Sequence, residues 1–81
     1  MSVRVRYFGG ISEATGKEEE VLPRFDVLKD LEEYLTVAYG NAILPGLLAS
    51  SYLVDGLATT DRNQSIERAA VVDVLPPFAG G

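Results

Sequence analysis

The strongest single indication of the fold is the segment Val71-Val72-Asp73-Val74-Leu75-Pro76-Pro77-Phe78-Ala79-Gly80-Gly81. Its first five residues are apolar apart from Asp73, and a nearly continuous apolar run of this kind is typical of a strand at the centre of a sheet. The two prolines that follow favour an extended, polyproline-like backbone and cannot donate to a β-ladder. We therefore expect a folded domain over residues 1–75 and an extended, flexible tail over residues 76–81.

A second clear strand lies at the beginning of the chain, over residues 3–8. Apolar and charged side chains alternate there, in the order Val3, Arg4, Val5, Arg6, Tyr7. This period of two predicts a half-buried strand that points its valines inward and its arginines outward. Gly9-Gly10 should end the strand.

The helix signal lies over residues 26–40. Apolar side chains recur at helical spacing, at Leu28, Leu31, Leu35 and Ala38. The charged residues between them should face away from the core, namely Lys29, Asp30, Glu32 and Glu33. Asp26 is a residue type that caps helix N-termini, and Gly40 is the type found just past a helix end. We therefore predict one amphipathic helix between Asp26 and Gly40.

The remaining segments carry weaker signals. Further extended segments are predicted over residues 18–22, 51–54 and 57–59, the first of them ended by Pro23 and paired with the opening strand as a hairpin. Asp55-Gly56 predicts a tight turn between the other two. Irregular structure is predicted over residues 11–17, 41–50 and 60–70, with a short helical turn as the alternative for the second of these.

The order strand, strand, helix, strand, strand predicts an α+β domain, because one sheet must cover one amphipathic helix to bury both apolar faces. This order resembles the β-grasp fold of ubiquitin-like proteins. The resemblance implies a mixed sheet packed on one main helix, with the first and last strands parallel and adjacent at the sheet centre.

The composition excludes several kinds of chemistry. The 81 residues include no cysteine and no histidine, so disulfides, thiolate nucleophiles, imidazole bases and the two commonest soft metal ligands are missing. A net charge of −5 disfavours nucleic acid as a ligand and favours partners with basic surfaces. The alternative explanation of this charge is solubility alone. No run approaches the ~18 apolar residues of a membrane span, and the first residues are not a signal peptide. We expect a cytoplasmic protein with no metal site and no membrane partner.

Four segments together resemble the small subunit of molybdopterin synthase, the MoaD family, over nearly the whole chain. They are the opening strand, the segment Ile11-Ser12-Glu13-Ala14-Thr15-Gly16, the strand and turn Tyr52-Leu53-Val54-Asp55-Gly56, and the Pro-Pro-x-Ala-Gly-Gly ending. The ending is the most specific of the four. The chain departs from the family at residues 66–70, which lack the usual glycine, so the loop there should differ in shape.

The resemblance implies a sulfur carrier in molybdopterin synthesis, with the Gly81 carboxylate as the reactive group. A ubiquitin-activating-like adenylyltransferase would adenylate this carboxylate with ATP, and a sulfurtransferase would help convert it to a thiocarboxylate. The sulfur would then be donated in the active site of the large subunit, within a heterotetramer of two small and two large subunits. No cofactor would be bound by this chain, and the catalytic residues would belong to its partners. Whether the chain itself counts as an enzyme stays open.

The residue types of the tail suit such a role. Gly80 and Gly81 have no Cβ, so they can enter a narrow channel and adopt strained backbone conformations. Pro76-Pro77 loses little entropy on binding, because its backbone is already restricted. The alternative for the two glycines is a frayed chain end without chemical purpose.

We expect the partner-binding residues at the root of the tail. If the first and last strands are parallel, Phe8 and Leu75 lie near the same end, on the sheet face away from the helix. With Phe78 they would form an exposed apolar patch, which marks a partner site. The binding surface would continue along Pro76, Pro77, Ala79 and Gly80. The alternative for Phe8 is a core position under the segment of residues 9–16.

Other polar and aromatic residues are expected to have structural roles. Asp73 should form an exposed ion pair with Arg4 or Arg6. The acidic run at residues 18–20 should be a solvated edge, with a contact to a basic partner as the alternative. The helix tyrosines Tyr34 and Tyr39 should pack against the core.

Three other functions stay open. A Gly-Gly ending on this fold also fits sulfur carriers that serve thiamine or cysteine synthesis. It fits a ubiquitin-like modifier that is conjugated to lysines of other proteins. A plain interaction module with an inert tail is the third.

Overall fold

The computed structural model describes residues 1–77. Over that range the elements follow one another as β1 (Ser2–Tyr7), α1 (Gly9–Thr15), β2 (Glu19–Pro23), α2 (Leu28–Tyr39), a 3-10 turn (Gly40–Ala42), α3 (Leu44–Leu48), β3 (Ser51–Val54), β4 (Leu57–Thr59) and β5 (Val71–Leu75).

The strands form one mixed sheet in the order β2-β1-β5-β3-β4. β1 and β5 are parallel and adjacent, with Tyr7 opposite Val74. The pairs β1–β2, β3–β5 and β3–β4 are antiparallel. The mixed sheet is thus confirmed, and the most apolar strand of the chain lies at its centre, where both of its faces can be covered.

The helices cover one face of this sheet, and the core lies between the helices and the sheet. The residues of β1 and β5 that were expected to point inward are all buried: Val3, Val5, Tyr7, Val72 and Val74. The helix leucines Leu28, Leu31 and Leu35 are also buried, as predicted. Ala38 was expected on the same stripe, and this was wrong because it is exposed. At the end of α2 the half-buried ring of Tyr39 packs against the core.

The segment after β1 is a helix, α1, where a loop was predicted over residues 11–17. Glycine disfavours helices, so Gly9-Gly10 gave no local sign of one. Ile11 is fully buried on the inner face of α1, and its Cδ1 packs against Gly46 in the middle of α3, where an added Cβ would lie only 3.0 Å away. Burial of this one side chain outweighs the poor propensity of the glycines.

The start of α2 also differs from the prediction, since Asp26 is not its N-cap. The N-cap is Val27, which has extended dihedrals and whose side chain makes no capping bond. The first N–H groups of the helix are instead satisfied by distant backbone carbonyls: Leu28 N–H donates to Gln64 O at 3.0 Å and Lys29 N–H to Arg62 O at 2.9 Å. The irregular segment of residues 60–70 therefore serves as the helix cap.

The predicted turn between β3 and β4 is confirmed. Asp55 and Gly56 both have positive φ, 47° and 86°, as a two-residue hairpin turn requires. The carboxylate of Asp55 also accepts the backbone N–H groups of Ala70 and Val71, at 2.9 and 3.0 Å. The turn thereby fixes the start of the central strand β5.

Candidate functional site

The parallel pairing of β1 and β5 brings the ends of both strands to the same edge of the sheet. Because Tyr7 lies opposite Val74, the next residues, Phe8 and Gly9, follow beside Leu75 and Pro76. We call these four residues the tail root. The expectation that Phe8 and Leu75 lie near the same end of the sheet agrees with this register.

Gly9 is a residue of the tail root that the sequence did not identify as functional. Its φ is +53°, a conformation that side chains with a Cβ rarely adopt. A Cβ built at this position would lie 3.1 Å from Cγ of Pro76. The first proline of the tail therefore rests directly on the backbone of Gly9. The sequence signal that could have identified Gly9 is its position just after β1, because β1 is parallel to β5, the strand that leads into Pro76.

The other tail-root residues differ in exposure. Phe8 precedes the first turn of α1 and accepts the N–H of Ile11 at 3.1 Å through its backbone carbonyl. Its side chain is 38% exposed, so it is not a core residue. Leu75 and Pro76 are half-buried, and Pro77 is exposed. A cavity of about 370 Å³ beside Phe8 is lined by Arg6, Tyr7, Phe8, Gly9, Ser12, Glu18 and Glu19.

The remaining predicted site residues, Phe78, Ala79, Gly80 and Gly81, lie outside the described residues. The predicted apolar patch of Phe8, Leu75 and Phe78 thus has two of its three members in the described part. Their binding role stays a prediction.

The sheet face away from the helices, here called the open sheet face, carries the outward residues of the central strands. Arg6 and Leu53 both pair with Asp73 in the strand register, so the three share this face. Arg4 and Val21 form another pair on it, and Val21 is 63% exposed. Arg4 also lies 3.3 Å from the carboxylate of Glu19.

Asp73 was expected to form an exposed ion pair with Arg4 or Arg6. An ion pair is present, but the prediction that it is exposed was wrong for Asp73, whose side chain is only 4% exposed. The partner is Arg6, whose Nε and Nη2 donate to the two carboxylate oxygens at 2.5 and 2.8 Å. The hydrogen bond and the charge of Asp73 raise the pKa of Arg6. A buried carboxylate in the central strand is therefore neutralised by a two-point contact directly below the tail root.

A second polar cluster joins β2 to the end of α2. Tyr7 and Tyr39 donate hydroxyl hydrogen bonds to one oxygen of Glu20, at 2.5 and 2.8 Å, and Lys17 lies 3.1 Å from the other oxygen. Burial raises the pKa of Glu20, but the three hydrogen bonds outweigh it and lower the pKa on balance. Glu20 is therefore not the solvated edge residue that the acidic run predicted. Of the two helix tyrosines, Tyr39 packs as expected.

Tyr34 was predicted to pack against the core, and this was wrong. Its side chain is 40% exposed, and its ring lies 5.6 Å from the ring of Phe25, tilted by 58°. Such a tilted aromatic pair packs the side of α2 against the segment that precedes it.

A third cluster ties α2 to β3. Tyr52 donates its hydroxyl hydrogen to Glu32, and Nε of Arg62 lies 3.0 Å from the same carboxylate. Burial, followed by the hydrogen bond to Glu32, raises the pKa of Tyr52. The guanidinium of Arg62 also lies over the ring of Tyr52, 5.3 Å from its centroid. The prediction that Glu32 faces away was wrong, since it is half-buried in this cluster.

Residues 1–77 contain no group of three or more aspartate or glutamate side chains that could hold a metal ion. In the same part of the chain, no helix is long and apolar enough to cross a membrane.

A mixed sheet with parallel central strands, packed on one main helix, is the ubiquitin-like β-grasp fold. No protein-family model and no curated protein sequence matches the chain, but solved structures do. SAMP1 from Haloferax volcanii is 18% identical with a TM-score of 0.79, and the match covers 100% of both chains. A candidate molybdopterin converting factor, subunit 1, from Pyrococcus furiosus is 23% identical with a TM-score of 0.74, covering 95% of this chain and 98% of that one.

A third similar structure is a chain from the complex of subunits 1 and 2 of the molybdopterin-converting factor from Helicobacter pylori 26695. It is 25% identical with a TM-score of 0.72, and the match covers 100% of both chains. The resemblance predicted from the sequence is thus confirmed among the structural relatives. These similarities establish the β-grasp fold of the chain.

Proposed function

We propose that the chain is a sulfur carrier in molybdopterin synthesis and that Gly81 carries the sulfur as a thiocarboxylate. The observation that carries the proposal is the tail root. The central strand β5 runs straight into Pro76-Pro77 at a sheet edge, and Pro76 rests on the backbone of Gly9. The similarity to a chain of the subunit 1 and 2 complex supports the choice of pathway.

The proposed chemistry begins at the Gly81 carboxylate. A carboxylate oxygen attacks the α-phosphorus of ATP, and pyrophosphate leaves. A persulfide of the sulfurtransferase then attacks the carbonyl carbon of the acyl-adenylate, and AMP leaves. A thiol reductant cleaves the resulting S–S bond, which gives the thiocarboxylate. ATP is consumed by the adenylyltransferase and is not a cofactor of this chain.

The partners supply the catalytic groups in this proposal. The chain has no histidine or cysteine, and the one buried carboxylate below the tail root, Asp73, is occupied by Arg6. The body of the domain therefore presents the tail, while the large subunit binds Phe8, Leu75 and the tail residues 76–80. We place the assembly in the cytoplasm as a heterotetramer of two small and two large subunits.

Carriers for thiamine or cysteine synthesis and ubiquitin-like modifiers share the fold and the Gly-Gly ending, so the test must separate them. Met1 is fully exposed, and in the parallel pair β1 starts at the sheet edge opposite the tail root. An affinity tag placed at Met1 leaves the tail root free. The experiment is purification of the N-terminally tagged chain from cells, with mass spectrometry of everything that co-purifies.

We expect the large subunit of molybdopterin synthase as the main co-purifying protein. We also expect a variant that lacks Gly81 to keep its thermal stability while it no longer supports molybdopterin formation in the same cells. A thiazole or cysteine synthase as the main partner would contradict the pathway. Gly-Gly remnants on lysines of many proteins would identify a modifier instead.

A further inference from the structure

Strand β2 forms one edge of the sheet, because within residues 1–77 it pairs with β1 and with no other strand. The N–H of Tyr7 donates to the carbonyl oxygen of Glu18 at 2.8 Å, which fixes the hydrogen-bond pattern of this ladder. Along an antiparallel pair, residues that bond to the neighbouring strand alternate with residues that point the other way. The even-numbered residues of β2 therefore bond to β1, whereas Glu19 and Val21 direct their backbone N–H and C=O groups away from the sheet.

These outward groups form a row of unused bonding positions along Glu19–Pro23, which we call the β2 edge. No backbone carbonyl in residues 1–77 accepts the N–H of Glu19 or of Val21. The side chain of Val21 is 63% exposed beside them. An edge with free N–H and C=O groups is a template for pairing with another strand. The bonding pattern therefore selects an extended strand as the occupant, rather than a helix or a small molecule.

The opposite edge of the sheet offers less. β4 has only three residues, Leu57–Thr59, and Leu57 lies opposite Val54. A two-residue hairpin turn makes these two flanking residues a bonded pair. In β4 only Ala58 therefore directs its backbone groups outward, against two residues with a free N–H in β2.

A second copy of β2 matches the β2 edge in one register. When the two copies run antiparallel about a two-fold axis at Val21, this residue lies opposite Val21 of the copy, and the two exchange both of their outward bonds. Glu19 then lies opposite Pro23 of the copy, and its N–H donates to the carbonyl of that proline. The missing N–H of proline loses one bond on each side of the axis but does not prevent the pairing.

The neighbouring registers are less favourable. A register centred on Glu20 places the carboxylates of the two copies side by side, and like charges directly opposite each other are destabilising. A register centred on Leu22 places Glu19 opposite Phe25, which lies beyond the end of the strand. The register centred on Val21 is therefore the one that uses the outward groups best.

The charges around the β2 edge permit this contact. Two of the three acidic side chains at residues 18–20 are paired within the chain, with Arg4 at 3.3 Å and with Lys17 at 3.1 Å. The third, Glu18, makes no ion pair in residues 1–77, and in this register it lies opposite Arg24 of the copy. No carboxylate of the acidic run therefore faces its own copy, although the chain has a net charge of −5.

We infer that two copies of the free chain associate through their β2 edges, with Val21 against Val21 on the two-fold axis. The two sheets then form one continuous sheet of ten strands, five from each copy. Because β2 runs antiparallel to its copy and also to β1, the two tail roots lie at opposite ends of the dimer and stay free. The contact is small, so the dimer belongs to the weak class that depends on concentration.

The test is sedimentation equilibrium of the whole chain at concentrations from about 10 µM to about 1 mM, the range in which weak contacts are populated. We expect a monomer–dimer equilibrium. Two-dimensional amide spectra over the same range should show shifts that change with concentration at Glu19 and Val21 and stay constant at Ala58. A variant that lacks Gly81 should dimerise as the native chain does, so this outcome is independent of the sulfur chemistry.

Charges placed on the axis identify the contact. Val21→Lys and Val21→Glu should each weaken the dimer at least about tenfold, or about 1.4 kcal/mol, because each places like charges opposite one another. Both change an exposed side chain, so the fold should be kept. An equimolar mixture of the two variants should associate again, since lysine then lies opposite glutamate. Ala58→Lys makes the matched change on β4 and should leave the dimer unchanged.

Four results would overturn the inference. The first is a monomer at every concentration. The second is a dimer that persists in both Val21 variants or is lost in Ala58→Lys, because another surface would then be in contact. The third is a mixture of the lysine and glutamate variants that associates no better than either alone, which excludes a two-fold axis at Val21. The fourth is growth into longer assemblies, which would indicate that β2 pairs with β4 of the next copy.

Discussion

The tail root and the junction between α2 and α3 are held in place by different kinds of contact. At the tail root these contacts involve mainly the backbone, through the parallel pairing of β1 with β5 and the close fit of Pro76 on Gly9. At the junction between α2 and α3, the side chain of Arg62 contacts both helices. The tail root therefore depends on a residue without a Cβ, and the junction depends on a residue with a long, charged side chain.

This difference predicts that the two sites can be damaged separately. Arg62→Ala should lower the free energy of unfolding by about 2–3 kcal/mol, because hydrogen bonds from charged groups and an ion pair with a half-buried carboxylate are lost together. Amide shifts should change around Leu47 and Leu48 and stay unchanged at Phe8 and Gly9. Urea unfolding and a two-dimensional amide spectrum provide the measurements.

The control for that change is Arg68→Ala in the same segment. Arg68 is exposed and has no hydrogen-bond partner in residues 1–77, so its loss should change the stability by less than about 0.5 kcal/mol. Equal effects of the two substitutions would contradict the role given to Arg62.

Gly9→Ala should disturb the tail root and leave the junction between α2 and α3 unchanged. A residue with a Cβ at φ +53° costs about 1–2 kcal/mol, and the added carbon would also press on Pro76 at 3.1 Å. We expect the unfolding midpoint in urea to fall and the amide shifts to change at Leu75 and Phe8.

Gly10→Ala is the matched control, because an added Cβ there has nothing within 4 Å and needs no positive φ. It lies inside α1, so alanine should stabilise the protein by up to about 1 kcal/mol. Opposite signs for two neighbouring glycines are the specific expectation. If both variants are destabilised by the same amount, the contact between Pro76 and Gly9 does not contribute to the stability of the protein.

Phe8→Ala should weaken binding of the large subunit about tenfold, or about 1.4 kcal/mol, because an exposed aromatic residue at an interface carries much of the binding free energy. The fold should be unchanged, since the side chain is not in the core. Isothermal titration with the purified large subunit measures the affinity. Val21→Ala, on the open sheet face away from the tail root, should have less effect. An unchanged affinity for Phe8→Ala would remove this residue from the interface.

The smallest expected effect is a pH dependence from Glu20. Its pKa is lowered in the folded state, so its hydrogen bonds stabilise the fold at pH values above the ordinary glutamate range. This contribution should be lost as the pH falls below about 4.3 and through the folded-state pKa. The stability of Glu20→Gln should fall less steeply than that of the native protein between pH 6 and about pH 3. Parallel curves would show that Glu20 does not couple folding to pH.

The strands and the main helix were predictable because their signals are local. Alternation located β1, a continuous apolar run located β5, and leucine spacing located α2. The parts that could not be predicted depend on distant residues. The cap of α2 comes from carbonyls at Arg62 and Gln64, and no local pattern shows such a contact.

The candidate site also has parts that the sequence predicts and parts that depend on distant residues. The tail and its prolines are visible in the sequence, as is the placement of Phe8 near Leu75 once the β-grasp resemblance is recognised. Gly9 was read only as a strand stop, because its fit to Pro76 involves residues 67 positions apart in the sequence. Helix α1 was missed because the burial of Ile11 against Gly46 outweighs two glycines that argue against a helix.

The proposed function requires that the Gly81 carboxylate is the group that carries sulfur. The most direct measurement is the intact mass, with fragmentation, of the chain and of a variant lacking Gly81, both purified from the same sulfur-replete cells. We expect a fraction of the native chain to have one oxygen replaced by sulfur, localised to Gly81, and no such fraction in the variant. An unmodified native chain, in cells with a functioning adenylyltransferase, would contradict it.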